Sequence, residues 1–523
     1  MLLIQERWKN KMKVIIVGGV AGGATAAARI RRLDEHAEIT VFERSGYISY
    51  ANCGLPYYIG DVITDPEELT LQTPESFFKR FHINMKIHHE VISIHPDRKT
   101  VSVKNLENGE IFEENYDKLI LSPGAKPTQP RLPGVGIDKL FTLRTVEDTF
   151  RIKEYINKNH PKSAILAGGG FIGLELAENL RELGMDVTIV QRPKQLMNPF
   201  DPDMASMIHN EMRKHGIKLV LGYTVEGFRE KDNGVEILLK DNPSLQADMV
   251  VLAIGVTPDT ALAKEAGLEL GIKGSIVVND RMETSVPDIY AAGDAVQVKH
   301  YVTGDDALIS LAGPANKQGR IIADNICGGD SHYLGSQGSS VIKVFDMTAA
   351  TTGINETNAK KSGLEVDTAI HAGLKATQLK DLDLAYAPPY SSAKDPVNMA
   401  GFMIDNIAKG TLKQWHLEDM DKISKDKDVV LLDVRTVGEF SRGHIDGFKN
   451  IPVDELRERI SEIEKGKPVY LICQSGLRSY IASRILEGNG YETYNFSGGF
   501  RFYDAVVNDR ALIERAYACG MDY

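Results

Sequence analysis

Residues 13–44 read "KVIIVGGVAGGATAAARIRRLDEHAEITVFER". A β-branched apolar run at 13–17 is followed by glycines at 18, 19, 22 and 23. Alanines then recur at helical spacing, and residues 39–42 are apolar again. The order predicts strand, glycine-rich turn, helix, strand. Such a turn lets backbone approach a pyrophosphate at a helix N-terminus. Glu43 stands at the end of the second strand, where a carboxylate can accept both hydroxyls of a ribose. Gly18, Gly22 and Gly23 are therefore candidate nucleotide contacts. Val20 occupies the place of the middle glycine in Gly-x-Gly-x-x-Gly, a departure from the bare motif.

The pattern returns at 163–192, "SAILAGGGFIGLELAENLRELGMDVTIVQR". Here Gly168, Gly170 and Gly173 match the motif in full. Two dinucleotide-type units in one chain amount to a duplication at domain scale. The second unit is expected to take a nicotinamide nucleotide. Its second strand ends in Gln191 and Arg192. A carboxylate there would clasp a 2′-hydroxyl and repel a 2′-phosphate; Gln with Arg removes the repulsion and offers a cation. NADPH is thus expected to be accepted alongside NADH.

The 523 residues suffice for three or four domains. Apolar and charged fractions of 42% and 25% fit a globular protein, and a net charge of -11 argues against nucleic-acid or anionic-membrane binding. No apolar run approaches the ~20 residues of a membrane span. The N-terminus does not read as a signal peptide, so a cytoplasmic protein is expected. Cys53, Cys327, Cys473 and Cys519 are far apart with no Cys-x-x-Cys, which argues against a disulfide framework or a metal site. Cys327 and Cys519 are read as structural. Cys53, in "SYANCGLPYYIG" (49–60), and Cys473, in "VYLICQSGLRSYIASRIL" (469–486), are read as working thiolates. Cys473 follows a strand and opens a loop onto a helix, so backbone N–H groups would cradle its sulfur, with Arg478 adding positive charge.

With both units in order, residues 12–410 resemble the pyridine-nucleotide disulfide oxidoreductase family. The lone cysteine in "SYANCGLPYYIG" is similar to that of its single-cysteine branch, which includes reductases of CoA disulfide and CoA persulfide and NADH peroxidases and oxidases. The resemblance implies FAD on the first unit, with Asp294 of "IYAAGDAV" (289–296) as second anchor. It places Arg44, Asn52 and Gly255 among cofactor contacts and Phe171 as the ring gating the flavin. The turn "GGVAGGAT" lacks the histidine of peroxidase-type members, and arginines follow it, which resembles the CoA-using members. The same resemblance implies CoA contacts at Thr25, Arg29, Arg32, Ser49, Asn52, Asn316 and Lys394, and a catalytic Tyr386 reaching a partner subunit's cysteine in a homodimer. The alternative is a peroxidase or oxidase working through a cysteine sulfenic acid. Residues 421–510, with Asp433, Arg435, Glu439, His444, Cys473 and Arg478, resemble a rhodanese domain.

The expected fold is α/β. An FAD domain is expected at 12–122 and 250–330, an NAD(P) domain at 123–249, an interface domain at 331–410 and a rhodanese domain at 421–510. Against the family, the interface domain lacks roughly fifty residues near "NAKKSGLEVDTAIHAGLKATQLKDL", which leaves a small core and less dimer surface.

Overall fold

The computed structural model describes residues 11–232, 234–363, 380–383, 395–504 and 507. Tyr386, Lys394 and Cys519 lie outside the described residues.

Ten strands build two parallel sheets. They are β1 (Lys13–Val17), β2 (Glu38–Phe42), β3 (Asn84–Lys86), β4 (Lys118–Leu121), β5 (Leu140–Thr142), β6 (Ser163–Ala167), β7 (Asp186–Gln191), β8 (Lys218–Leu221), β9 (Met249–Leu252) and β10 (Ile289–Ala291). The first sheet has the order β10-β4-β1-β2-β3 and the second β8-β7-β6-β9-β5. The chain thus leaves the first sheet after β4, builds the second, and returns with β10. Parallel strands covered on both faces need apolar residues at every position. Val14, Ile15 and Ile16 of β1 and Ala164, Ile165 and Leu166 of β6 meet that need, each at 3% exposure or less.

Helix α1 (Ala21–Leu33) crosses from β1 to β2, and its alanines allow a close approach. Beyond them, α2 (Leu55–Ile59) carries the segment after Cys53, α3 (Phe171–Glu182) crosses from β6 to β7, and α4 (Pro202–Lys214) leads to β8. Helix α5 (Ala312–Ile326) lies along α1 so tightly that a Cβ on its Gly319 would sit 2.4 Å from the Gly22 carbonyl. A hairpin of β11 (Ser340–Val344) and β12 (Met347–Thr351) packs on α3 and α4. Helix α6 (Pro396–Ala408) follows.

The C-terminal unit has its own parallel sheet of β13 (Gln414–Trp415), β14 (Val430–Asp433), β15 (Lys449–Asn450), β16 (Val469–Ile472) and β17 (Thr493–Phe496). Their order is β13-β17-β16-β14-β15. Helix α7 (Val437–Arg442) follows β14, and α8 (Leu477–Gly488) follows β16. Helix α8 lies against α1. The Arg484 side chain donates to the Arg32 carbonyl at 2.6 Å, and His36 bonds the Gly488 carbonyl at 2.9 Å. A buried ion pair joins Arg457 to Glu35 at 2.5 Å. Among the described residues, no helix is long and apolar enough to cross a membrane.

Candidate active site and nucleotide sites

In the first unit, Gly18 takes a left-handed φ of 96°, and a Cβ there would lie 2.1 Å from the Ser122 carbonyl oxygen. A Cβ on Gly23 would lie 1.9 Å from the Gly18 oxygen. Both positions need glycine for steric reasons. The N-cap of α1 is Val20, which offers no side-chain cap, so the first-turn N–H groups stay available to an anion. The Glu43 carboxylate is 9% exposed and accepts from Gly19 N at 2.8 Å and Ser45 N at 2.9 Å. A cavity of about 270 Å³ adjoins it, bounded by Gly18, Glu43, Arg44, Pro123 and Asp259. Arg44 is exposed and pairs with Asp259 at 2.9 Å across its rim. Asp294 lies in the turn after β10, with Arg144 at 2.5 Å. The donor-rich turn, the fixed carboxylate and the adjoining cavity fit the adenosine diphosphate half of FAD.

Cys53 is half-buried in a single 3-10 turn, Asn52–Gly54, that runs into α2. Pro56 fits the first turn of α2, where its missing N–H costs nothing. The turn is tied to the nucleotide motif: Ser49, left-handed at φ 48°, donates its N–H to the Gly19 carbonyl at 2.9 Å. Four residues therefore separate the cysteine from the glycine-rich turn's own backbone. Beside Cys53, the Asn52 Oδ1 atom is buried with no hydrogen-bond partner, an acceptor that a ligand N–H would satisfy.

Thr25 of α1 donates to the Asn316 Oδ1 atom of α5 at 2.6 Å, so two of the expected substrate contacts face each other. Arg29, expected at CoA, is held among protein groups. It is 2% exposed, and its guanidinium is held by Asp324 at 2.8 Å, Asn406 at 3.1 Å and the Tyr480 hydroxyl at 3.0 Å. These bonds join α1, α5, α6 and α8. Arg32 is half-buried, 5.6 Å from the centre of the Phe81 ring, and its Nε atom lacks a partner. Burial and the neighbouring Arg29 lower its pKa.

The second unit repeats the first. Gly168 has φ 122°, and a Cβ there would lie 2.2 Å from the Ala253 carbonyl. A Cβ on Gly173 would lie 2.1 Å from the Gly168 oxygen, whereas one on Gly170 would meet nothing within 4 Å. Gly169 N donates to the Gln191 side-chain oxygen at 3.0 Å, the bond that Gly19 makes to Glu43. Arg192 is exposed, and Gly255 is exposed in a left-handed turn at φ 107°. Phe171 is half-buried at the edge of a groove of about 650 Å³ that also includes Pro193, Lys194, Gln195 and Gln337. Arrangement and shape fit a nicotinamide nucleotide.

Two groups here escape a reading of the sequence. Glu175, one turn after Phe171, is 7% exposed, and burial, with Glu178 beside it, pushes its carboxyl up to about 8. An acid in the apolar run "FIGLELAENL" is the signal that marks it. His209 on α4 is 8% exposed and bonded to a backbone N–H, with no motif around it.

In the C-terminal unit, Cys473 follows β16 directly and is 1% exposed. Gly476, left-handed at φ 102°, directs its N–H to the sulfur at 3.1 Å, and the Ser479 hydroxyl donates at 3.2 Å. The N-terminus of the twelve-residue α8 opens immediately after. Donors and helix dipole together stabilise a thiolate or a persulfide anion. Arg478 grips Glu439 through two bonds of 2.7 Å and holds that carboxyl down at about 2. Asp433 and Arg435 form a buried pair at 2.7 Å, with the Arg435 guanidinium 3.7 Å from the Phe500 ring centre.

The pyridine nucleotide-disulphide oxidoreductase model matches residues 12–319. The chain belongs to this family. A rhodanese-like domain model matches residues 416–505. Coenzyme A disulfide reductase of Staphylococcus aureus strain JH9 is 35% identical over 441 residues, covering 75% of this chain and 99% of that one. The crystal structure of reduced CoADR-RHD from Bacillus anthracis is 44% identical, with a TM-score of 0.67 over 96% of this chain and 99% of that one. A NAD-dependent persulfide reductase from A. fulgidus is 34% identical, with a TM-score of 0.66 over 94% and 100%. This pyridine nucleotide-disulfide oxidoreductase therefore carries a C-terminal rhodanese domain. Family membership implies FAD and a nicotinamide nucleotide as its redox partners.

Proposed function

We propose that this oxidoreductase uses NAD(P)H to reduce CoA persulfide, polysulfide or CoA disulfide through Cys53, and that Cys473 carries sulfane sulfur. The observation that supports the reading is the bond from Ser49 N to the Gly19 carbonyl, which ties the segment carrying the lone Cys53 to the first glycine-rich turn. Bound FAD supplies the two-electron exchange between nicotinamide and sulfur, held by Gly18, Gly22, Gly23, Glu43 and Asp294. The nicotinamide nucleotide belongs on Gly168, Gly170, Gly173, Gln191 and Arg192, with Phe171 at the entrance.

The Cys53 thiolate attacks the CoA-bound sulfur of CoA persulfide. The S–S bond breaks, hydrosulfide leaves with the electron pair, and Cys53 remains bonded to CoA. Two electrons and one proton then split this mixed disulfide into the Cys53 thiolate and CoA thiol. With CoA disulfide, a CoA thiolate leaves in place of hydrosulfide. Asn52 Oδ1, lacking a protein partner, is placed to accept an amide N–H of the bound molecule. At Cys473, a persulfide formed by transfer from a donor is stabilised by Gly476 N, Ser479 Oγ and the α8 terminus. Sulfane sulfur is a cargo that a persulfide substrate shares and plain CoA disulfide does not, which favours the persulfide as physiological substrate.

The names of the relatives support a CoA-linked or persulfide substrate. A homodimer in which Tyr386 reaches the partner's cysteine, with Lys394 as a CoA contact, belongs to this proposal. So does the short interface domain. The Staphylococcus match spans 441 positions, while 75% of 523 residues is about 392, so about fifty positions lack a counterpart here. Anaerobic assay with CoA persulfide tests the function. Hydrosulfide release dependent on NAD(P)H is expected, and its loss in Cys53→Ser. Full activity in that variant, or much faster turnover with peroxide, overturns the reading.

A further inference from the structure

The loop that follows β7, residues 192–200, is pinned at four points, one of them near its end, where the Asn355 side chain donates to the Asn198 carbonyl at 2.9 Å. At its start, the Gly222 N–H donates to the Gln191 carbonyl at 2.9 Å and to the Pro193 carbonyl at 3.0 Å. At its middle, Met197 N donates to the Gly169 carbonyl at 2.8 Å, and the Leu196 side chain covers Gly169 so closely that a Cβ there would lie 2.3 Å away. The third point is a side chain: Leu196 N donates to His209 Nε2 at 3.0 Å. Leu196 and Met197 are fully buried, and Met197 holds a left-handed φ of 50°. The loop therefore joins the Gly169 turn to its own exposed cations Arg192 and Lys194, which follow Gln191.

A ring nitrogen that accepts from a backbone N–H has an unshared pair, so His209 carries its proton on Nδ1 and is neutral. Protonation would set two donors face to face and break the third pin. We propose that neutral His209 is a positioning residue for the nicotinamide nucleotide, holding loop 192–200 in its nucleotide-binding shape and releasing it in acid. The inference rests on the second unit being the nucleotide site.

The surroundings oppose the charged ring. Burial comes first, and Arg213, one turn along α4, adds a like charge; together they lower the pKa. Of the elements packed against α4, β8 carries Lys218 and β11 carries Lys343, which is paired with Glu178; Asp346, between β11 and β12, lies 3.7 Å from Lys214 and 3.5 Å from His215, and the loop carries Arg192 and Lys194. Glu211 of α4 is turned to Lys214 and His215 at 3.5 and 3.4 Å.

Steady-state kinetics of the holoenzyme with NADPH and NADH, as a function of pH, test this. His209→Leu is expected to raise KM for either nucleotide about tenfold at neutral pH with kcat within about twofold, the cost of orphaning one buried N–H. His209→Gln offers an acceptor that acid does not remove. It should restore KM at neutral pH and abolish the rise in KM that the unaltered enzyme shows in acid, below the ordinary histidine range of about 6.5. Unchanged KM in His209→Leu, or the same acid rise in His209→Gln, overturns the inference. Gly170→Val, in which the new side chain enters open space, tests the nucleotide site itself. Unchanged KM there removes both readings; a raised KM there with an unchanged KM in His209→Leu removes this one alone.

Discussion

The two nucleotide units are built on one backbone plan, and three of the equivalent positions at which they differ bear on the ligand. Val17 pairs with Phe42 across the first unit, and Ala167 pairs with Val190 across the second. The next residues are Glu43 and Gln191, and each accepts the N–H of the second glycine of its turn. The backbone is served equally well by carboxylate and amide; what changes is charge. At the middle of the motif stands Val20 in one unit and Gly170 in the other. Seven residues beyond the first motif glycine, Thr25 bonds Asn316, whereas Glu175 is buried among apolar groups. Duplication preserved the turn, and ligand choice was left to the side chains around it.

Exchanging those side chains tests the comparison. Glu43→Gln gives the first unit the second's amide. It removes a charge-assisted hydrogen bond of about 1.5–3 kcal/mol, so FAD retention is expected to fall about ten- to a hundredfold, read from the visible absorbance of purified protein. Gly170→Val gives the second unit the first's bulk. KM for NADPH and NADH should rise about tenfold by narrowing the pyrophosphate approach, with FAD content unchanged. Gln191→Glu gives the second unit a carboxylate, and the ratio of KM values should shift toward NADH by about tenfold. The smallest effect is on stability. The folded-state pKa of Glu175 is raised, so its burial costs nothing below the unfolded value of about 4.3 and progressively more as pH rises to about 8. Glu175→Gln should therefore raise Tm by a few degrees at pH 8 relative to the unaltered protein and by less at pH 5, measured calorimetrically.

Local features were legible in the sequence. Gly18, Gly23, Gly168 and Gly173 announce themselves because the contacts that demand glycine lie within a few residues or on the neighbouring strand. Cys473 and Arg478 were readable for the same reason: the loop, its left-handed Gly476 and the following helix form one continuous stretch. The bonds of Arg29 were not legible, because its partners come from residues 324, 406 and 480, which no periodicity in α1 reveals. Glu175 and His209 were missed because their significance depends on burial by distant elements. Cys53 lies between these cases. Its chemistry could be read from its neighbours, but the bond from Ser49 to Gly19 that places it needed the folded chain.

The contact of α8 with α1 has a consequence for traffic between the two cysteines. Arg29 bonds Tyr480, which adjoins the serine that bonds the Cys473 sulfur, and Arg457 is locked to Glu35 in a buried pair. A rhodanese unit bolted on in this way is a fixed dock and not a crane. Under the proposed function, such a dock favours a small diffusible carrier for any sulfur passed between Cys473 and Cys53.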